Sequence, residues 1–520
     1  VVLGSAVVAL GACTDAAATS RAPLLTITFG STTTTLSPDT EHLALDTTLL
    51  HARPRLSIQS SREDTQLELP QDSDTIAEGT GSIDVDLELK VGVNRYELSA
   101  TTPGSGMSTM TVSVTRGEEL WRELSLLLAD PPRSNGYFGD YLVAHEDELY
   151  VNASRRGLLY SWHEPEDTKR GGWRLETLVE DLVEDDLEWM YEAALSDDVL
   201  AFIAQPVAGE DTLYVLERRE ESWALAATVP TLRRGTLRLD GDDLYFISTD
   251  GVTISSRTAS WSRTAKLPAP ENAHGFGDRP TYFDAAGVAA REGRLLVAAV
   301  DADVQLDDAG DPKLADCNAT DSVTCLRAAG AVLSFERDDT VGWSPGPTLY
   351  SPTPSAQEHF GHALAMNERW IAVGAPGYPS TDTTAASCTG GCSPESGAVY
   401  LFARAGTDVD PSTPAVLLQS SSPHAYDYFG DSLLLHEDLL LVATPGVDAA
   451  MEDVGAITAF VLDGEPAEFG PFALPDDRSV VGFPEHMQIS SAGLLVSATT
   501  APYAQGDEVL DFAGRVYQLD

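Results

Sequence analysis

Apolar residues along this chain fall mostly at alternate positions or in runs of four to eight, with Gly, Asp, Asn or Pro between them. In "SIDVDLELK", Ile83, Val85, Leu87 and Leu89 alternate with polar residues. That period of two predicts a strand with one buried face. Helical spacing is hard to find, so the pattern predicts an all-β protein. The ambiguous stretch is "DLVEDDLEWMYEAAL" at 181–195, whose acidic residues read as a solvated connection.

Two phrases recur after Gly117. The first is an aromatic–Gly opening, a strand, a tight polar turn and a second strand. It stands as "YFGDYLVAHEDELYVNAS" at 137–154, "HFGHALAMNERWIAVGAPG" at 359–377 and "YFGDSLLLHEDLLLVATPG" at 428–446. Looser copies are "YEAALSDDVLAFIAQ", "GTLRLDGDDLYFIST", "RPTYFDAAGVAAREGRLLVAAV" and "EHMQISSAGLLVSATT". The second phrase is a small-residue turn, a strand, and a Trp or other bulky residue leading a further strand, as in "DTLYVLERREESWALAATV". Trp173, Trp223 and Trp261 occupy that position and read as core residues. Each pair of phrases supplies four strands, and four-stranded sheets repeated radially make a β-propeller. The seven copies of the first phrase predict seven blades of about 58 residues.

The last copy, "GRVYQLD", ends without its bulky outer strand. "LWRELSLLLAD", from Leu120, has that character, with Trp121 in the Trp position. Residues 120–129 are therefore expected to pair with 514–519 and close the ring with strands from both ends of the region. Ahead of it, "LLTITFG", "RLSIQS", "TQLELP" and the hairpin "GVNRYELSATTPGSGMSTMTVSVTRG" predict a separate β unit. The expected organisation is 1–21 signal and tether, 22–116 β-sandwich and 117–520 propeller.

These words carry two resemblances. The "G-x-N" and terminal "V-T-R" of the hairpin resemble the end of the bacterial cadherin-like β-sandwich domain, usually a spacer or adhesion unit. Phe360-Gly361 with Gly374-Ala375-Pro376, Phe429-Gly430 and Phe138-Gly139 resemble the FG-GAP repeat of integrin α-like seven-bladed propellers in bacterial surface lipoproteins. The second resemblance covers 120–520. It implies a non-catalytic module binding protein or glycan ligands, often with calcium in the blade loops. The chain departs from that family where its calcium loop belongs: "AMNER", "LHEDL" and "AHEDE" are tight turns with too few oxygens for calcium.

Composition narrows the partners. The net charge is −49, from 81 acidic against 32 basic residues. Nucleic acid is excluded as an expected partner, because phosphate binding needs a basic surface. The acidity reads as a solvated, soluble surface, with affinity for divalent cations as the sharper reading. "VVLGSAVVALGACTD" resembles the end of a bacterial lipoprotein signal with Cys13 as the acylated residue; a truncated ordinary export signal is the alternative. Acylation would tie an exported monomer to a lipid bilayer, at the outer membrane or cell surface. The oxidising compartment this implies predicts disulfides among Cys317, Cys325, Cys388 and Cys392, with local pairs favoured and a four-cysteine zinc site as the alternative.

One stretch has calcium-loop spacing. "DADVQLDDAGD" places Asp303, Gln305, Asp307 and Asp311 at positions 1, 3, 5 and 9, with Asp301 and Asp308 adding charge. The competing reading is a long solvated insertion stapled by Cys317 and Cys325. Enzyme signatures are missing: there is no G-x-S-x-G elbow, no H-E-x-x-H helix and no sialidase-type box. Among so many acids no carboxylate pair can be nominated by spacing, and Lys and Arg look scattered. A propeller-fold hydrolase or a structural envelope scaffold are the alternatives. The "HED" of His436, Glu437 and Asp438 reads as a solvated turn. The longest insertions, 301–328 and 377–396, are expected on one rim and are the expected contact surface.

Overall fold

The computed structural model describes Val7–Val8 and residues 23–519, except 31, 38, 72–73, 121–123, 130–135, 154–155, 164–171, 221, 232–234, 278–286, 318–323, 339, 380–394, 406–407, 410–414, 448–453, 475–482, 492, 500, 502, 506–507 and 511–512. Cys13, Trp121, Cys388 and Cys392 lie outside the described residues. Among the described residues there is no α-helix, only the 3-10 turns Val179–Leu182 and Arg257–Ala259. The 181–195 stretch resolves as the end of the first turn followed by the strand Leu187–Leu195.

The N-terminal part forms two sheets. One runs in the order Val7–Val8, His42–Thr47, Gly106–Arg116, Gly92–Thr102, Gln66–Gln71, Asp74–Thr80. The other runs Thr32–Leu36, Leu25–Phe29, Arg55–Ser60, Ser82–Asp86. Both feed one core, in which Ile27, Phe29, Leu56 and Ile58 from the second sheet meet Leu43, Leu67, Tyr96 and Val112 from the first. The 92–116 hairpin is present as predicted, in register from Gly106↔Thr102 to Arg116↔Gly92.

The remainder is a succession of antiparallel sheets, here I to VII, each four-stranded except that V adds the short strand Asp408–Val409, with two small sheets in the connections. Sheet I is Phe138–His145, Glu148–Ala153, Arg156–His163, Gly172–Leu178; sheet II is Leu187–Leu195, Val199–Pro206, Thr212–Arg219, Ser222–Pro230. Sheet III is Thr236–Asp240, Asp243–Ser248, Gly251–Ser256, Ser262–Pro268; sheet IV is Val288–Arg291, Arg294–Ala299, Ala331–Asp338, Gly342–Pro345. Sheet V is Leu364–Met366, Trp370–Ala375, Ala398–Ala405, Val416–Leu418; sheet VI is Leu433–His436, Leu439–Thr444, Ala456–Val461, Ala467–Phe472. Sheet VII is Met487–Ser490, Gly493–Ala498, Arg515–Leu519 and, from the other end of the region, Leu124–Leu127.

The first strand of each sheet lies against the first strand of the next, and Met487–Ser490 of sheet VII lies against Phe138–His145 of sheet I. The succession therefore closes on itself as a β-propeller, in which only the outer strands present edges. The expected closure pairs Leu124↔Leu519, Ser125↔Gln518, Leu126↔Tyr517 and Leu127↔Val516.

The recurring words fasten neighbouring sheets. Phe138, Phe360 and Phe429 are fully buried, and their backbone N–H groups donate to Ala513 O, Ala329 O and Ser396 O of the preceding sheet, at 3.1, 3.0 and 3.1 Å. The glycines that follow, Gly139, Gly361 and Gly430, sit at φ of 90°, 102° and 95°. A side chain there would be strained. Gly374 of the GAP word faces the next FG word: a Cβ on it would stand 2.1 Å from Gly430 O. Ala375 is buried beside it, and Pro376 ends the strand. The sequence reading missed one such word. Gly277 N donates to Ala298 O as Gly361 N does to Gly374 O, so "HGFGDRP" holds the FG word of sheet IV in Phe276-Gly277.

The two-sheet unit docks on the end of the propeller where first and second strands turn, at sheets VI and VII. Leu49, Leu50 and Leu120 share a core with Leu439, Phe483, Met487 and Leu494. Arg116, fully buried, sends its guanidinium from the unit's last strand to the carboxylate of Asp438. The "HED" of 436–438 is therefore not a solvated turn; the docked unit half-buries it. Its twin, His145-Glu146-Asp147, stays at the surface.

Candidate binding rim

The FG words open the first strands at the end of the propeller opposite the docked unit. There the loop joining the second and third strands of one sheet meets the FG turn of the next. At the sheet IV–V junction, Gln357 N and His359 N donate to Arg327 O and Ala328 O, at the end of the 301–328 insertion. At the V–VI junction, Tyr428 N donates to Glu395 O, at the end of the 377–396 insertion. The described ends of both insertions thus lie at one rim.

The residue before each Phe carries the rim's chemistry. Tyr137, His359 and Tyr428 hold φ of 46°, 55° and 56°, a left-handed conformation uncommon for bulky residues. It aims the side chain out of the turn while the Phe points inward. Tyr426 is 51% exposed, and its ring lies 6.3 Å from that of Tyr428. Burial and then the Glu395 carboxylate push the Tyr428 phenol up to about 12, so it remains a hydroxyl donor at neutral pH.

Acid–imidazole pairs line the same rim. Asp301 Oδ1 lies 3.5 Å from His359 Nδ1. The imidazole holds the Asp301 carboxyl below its usual range, and Asp301 in turn raises His359. His362 Nε2 lies 3.1 Å from Asp431 Oδ1, both side chains nearly buried. Beneath them, Glu358 is fully buried and accepts from Ser355 N at 2.8 Å and Tyr400 OH at 2.9 Å. Asp427 does the same for His424 N at 2.6 Å, three residues earlier. These two acids anchor the turn, and burial raises Glu358 accordingly.

Inside the ring the first strands enclose a cavity of about 360 Å³. At its rim end Tyr141 OH donates to Glu192 Oε1 at 2.6 Å, and Arg238 approaches the same oxygen at 3.5 Å. His486 Nε2 lies 3.1 Å from Asp140 O. These contacts link the neighbouring sheets VII, I, II and III around the axis.

The calcium expectation at 303–311 does not fit the structure. Asp303 is the first residue of a strand, Asp303–Leu306, paired with Pro312–Ala315. Its two carboxylate oxygens accept from Cys317 N and Ala328 N, both at 2.9 Å. Gln305 Nε2 donates to Thr324 Oγ1 at 2.7 Å. Asp307 Oδ1 accepts from Ala309 N and Asp311 N, and those N–H bonds lower its pKa. Asp303, Asp307 and Asp311 do not gather; among the described residues the cluster with metal-ligand proximity is His145, Glu146 and Asp197. The spacing mimicked a calcium loop because a hairpin also places alternate residues on one face. The stapled-insertion reading describes the segment: Cys317 and Cys325 form a disulfide.

Trp223 and Trp261 are buried, and Trp173 is partly buried against the core of sheet I, as expected of core residues. The basic residues are less scattered than they look in sequence. Arg53 and Lys90 from the N-terminal unit meet Arg291 and Arg369 from the propeller around a 410 Å³ cleft at the junction. Glu88 pairs with Arg53 and Glu368 with Arg291 there, so the cleft is a mixed-charge seam. Sequence missed it because the partners lie in different units.

No protein-family model matches the chain, and no curated protein does. Among solved structures, Hsv2 of Kluyveromyces lactis is 12% identical, covers 73% of this chain and 96% of its own, and has a TM-score of 0.36. The periplasmic gluconolactonase PpgL of Pseudomonas aeruginosa is 12% identical, with coverages of 79% and 98% and a TM-score of 0.37. Sqt1 of Chaetomium thermophilum, bound to the N-terminus of ribosomal protein L10, is 10% identical, with coverages of 92% and 96% and a TM-score of 0.39.

Proposed function

We propose that the chain is a non-catalytic binding module whose FG rim holds a protein or glycan ligand. In this reading the ring is a seven-bladed FG-GAP propeller and the N-terminal unit a cadherin-like sandwich that spaces it from the envelope. Acylated Cys13 anchors an exported monomer to a bilayer at the outer membrane or cell surface. The observation that carries the reading is the asymmetry of the two ends. One end is occupied by the N-terminal unit through Arg116 and a shared apolar core. The other carries the described ends of the 301–328 and 377–396 insertions and the exposed Tyr426. Tyrosine supplies large, rigid contact area with a polar tip, which suits both sugar stacking and protein contact.

The test is a panel of immobilised glycans and matrix proteins probed with the full chain, with and without calcium. Retention that falls about tenfold or more in a Tyr426→Ala, Tyr428→Ala double variant with unchanged melting is the expected result. Retention unaffected by that variant, or hydrolysis of a retained glycan, overturns the reading.

A further inference from the structure

The seam between the N-terminal unit and the propeller holds two imidazoles. His51 follows Leu49 and Leu50, the unit's contribution to the shared core. His436 ends the first strand of sheet VI, two residues before Asp438. Both line one 380 Å³ pocket together with Leu50, Ile489 and Ser490. His51 Nε2 is buried and without a hydrogen-bond partner.

Next to them lies the buried guanidinium of Arg116. Its Nε donates to Leu49 O at 3.2 Å, Nη1 to Leu89 O at 3.1 Å and Nη2 to Leu49 O at 2.7 Å. One carboxylate, Asp438, balances that charge. A further positive charge on His51 has no hydrogen-bonded carboxylate to meet it.

We propose that this seam is an acid-sensitive latch: the N-terminal unit is held against the propeller while His51 and His436 are neutral, and protonation releases it.

The charged groups facing the pair are few. From the N-terminal unit they are Arg53, Arg55 and Arg116, and from the sheet VI turn Glu437 and Asp438. On the sheet VII side the pocket wall is Ile489, Ser490, Ser491 and Gly493, none of them ionisable. Burial, reinforced by His436, the chain's terminal amine and Arg116, lowers His51 to about 4. Burial also lowers His436, against the pull of Asp438. Both shifts have the same sign. A His whose docked pKa lies below its free value binds fewer protons docked than free. Docking therefore weakens as pH falls below the free value of 6.5, and for His51 the loss is complete near 4. Glu437 works the other way, since burial raises its carboxyl. For His51 alone the docking equilibrium drops roughly 30-fold between about pH 7.5 and about pH 5.

Hydrogen exchange of the full chain, followed by mass spectrometry and corrected for intrinsic rates, reads this directly. Seam peptides spanning 47–53 and 434–441 are expected to open about 30-fold more at about pH 5 than at about pH 7.5, while propeller peptides such as 370–375 keep their protection. A His51→Gln, His436→Gln double variant is expected to lose that pH dependence. Flat seam exchange in the unmodified chain overturns the latch, and so does an equal rise in all propeller peptides. If the double variant does not fold, titration of the histidine ring resonances in the unmodified chain decides. A His51 value below about 5 supports the latch, and one near the free value of about 6.5 overturns it.

Discussion

The Arg116 guanidinium meets the Asp438 carboxylate along both edges, with Nη1 2.7 Å from Oδ2 and Nη2 2.9 Å from Oδ1. The two residues are 322 positions apart and belong to different units. The arginine is fully buried and the aspartate nearly so. Bidentate geometry and three bonds to backbone carbonyls satisfy a charge that would otherwise be costly to bury. Removing one partner leaves the other stranded. Arg116→Leu should cost about 3–5 kcal/mol, and Asp438→Asn less, because the amide still accepts one N–H. Urea unfolding monitored by exchange of seam and propeller peptides would show the seam opening first in both variants.

The inter-sheet fastening makes a second prediction. A Cβ on Gly397 would stand 2.1 Å from Phe429 O, at a φ of 85°. Gly397→Ala should therefore destabilise the ring by roughly 2–4 kcal/mol, far more than a surface substitution. Phe429→Ala removes a buried ring packed between sheets V and VI and should cost about 3–5 kcal/mol. Gly464, with open space around it at a φ of 101°, is the control: Gly464→Asn should cost a few tenths to about 1 kcal/mol. Thermal melting of the three variants would rank them.

Ring closure rests on four residue pairs between Leu124–Leu127 and Val516–Leu519. Deleting 120–129 bares the third strand of sheet VII, and an unpaired strand recruits other chains. The truncated chain is expected to elute as aggregate or to melt well below the full chain. An unchanged monomer with unchanged melting would contradict the closure.

What could be read in the sequence, and what could not, follows from the range of the interactions. The FG and GAP words are local, and the forces that select Gly361, Gly374 and Phe429 repeat in every strong copy. Period and word together gave the strands, the turns and the pairing of 120–129 with the chain's end. The weak copies failed where a word moved: "HGFGDRP" precedes its strand by a longer stretch than its relatives do, so Phe276-Gly277 went unrecognised. The seam was invisible for a different reason. Arg116 reads as the last letter of a hairpin and Asp438 as a turn acid; neither carries a mark of the other. The calcium spacing at 303–311 misled because alternate acids describe a hairpin face as well as a cation loop.

The Asp301–His359 pair sets a pH window for the rim. Asp301 lies below its usual range mainly through His359, so its contribution is present above about 3.8 and lost as pH falls through its lowered value. His359 is raised mainly by Asp301, so its contribution is fully present below about 6.5 and lost as pH rises through its raised value. The contact between the 301–328 insertion and the sheet V turn is therefore firmest in mildly acidic solution and loosens toward alkaline pH. Both side chains are more than a third exposed, so the effect is modest and weakens with salt. Exchange of peptides spanning 300–306 and 355–362 should show a protection maximum in that window. His359→Gln should flatten the alkaline side and leave the Cys317–Cys325 staple in place. The rim and the seam thus respond to acid in opposite senses: near pH 5 the seam opens while the insertion beside His359 is held. A chain in which both regions loosened together on acidification would contradict the assignment of His359 to Asp301.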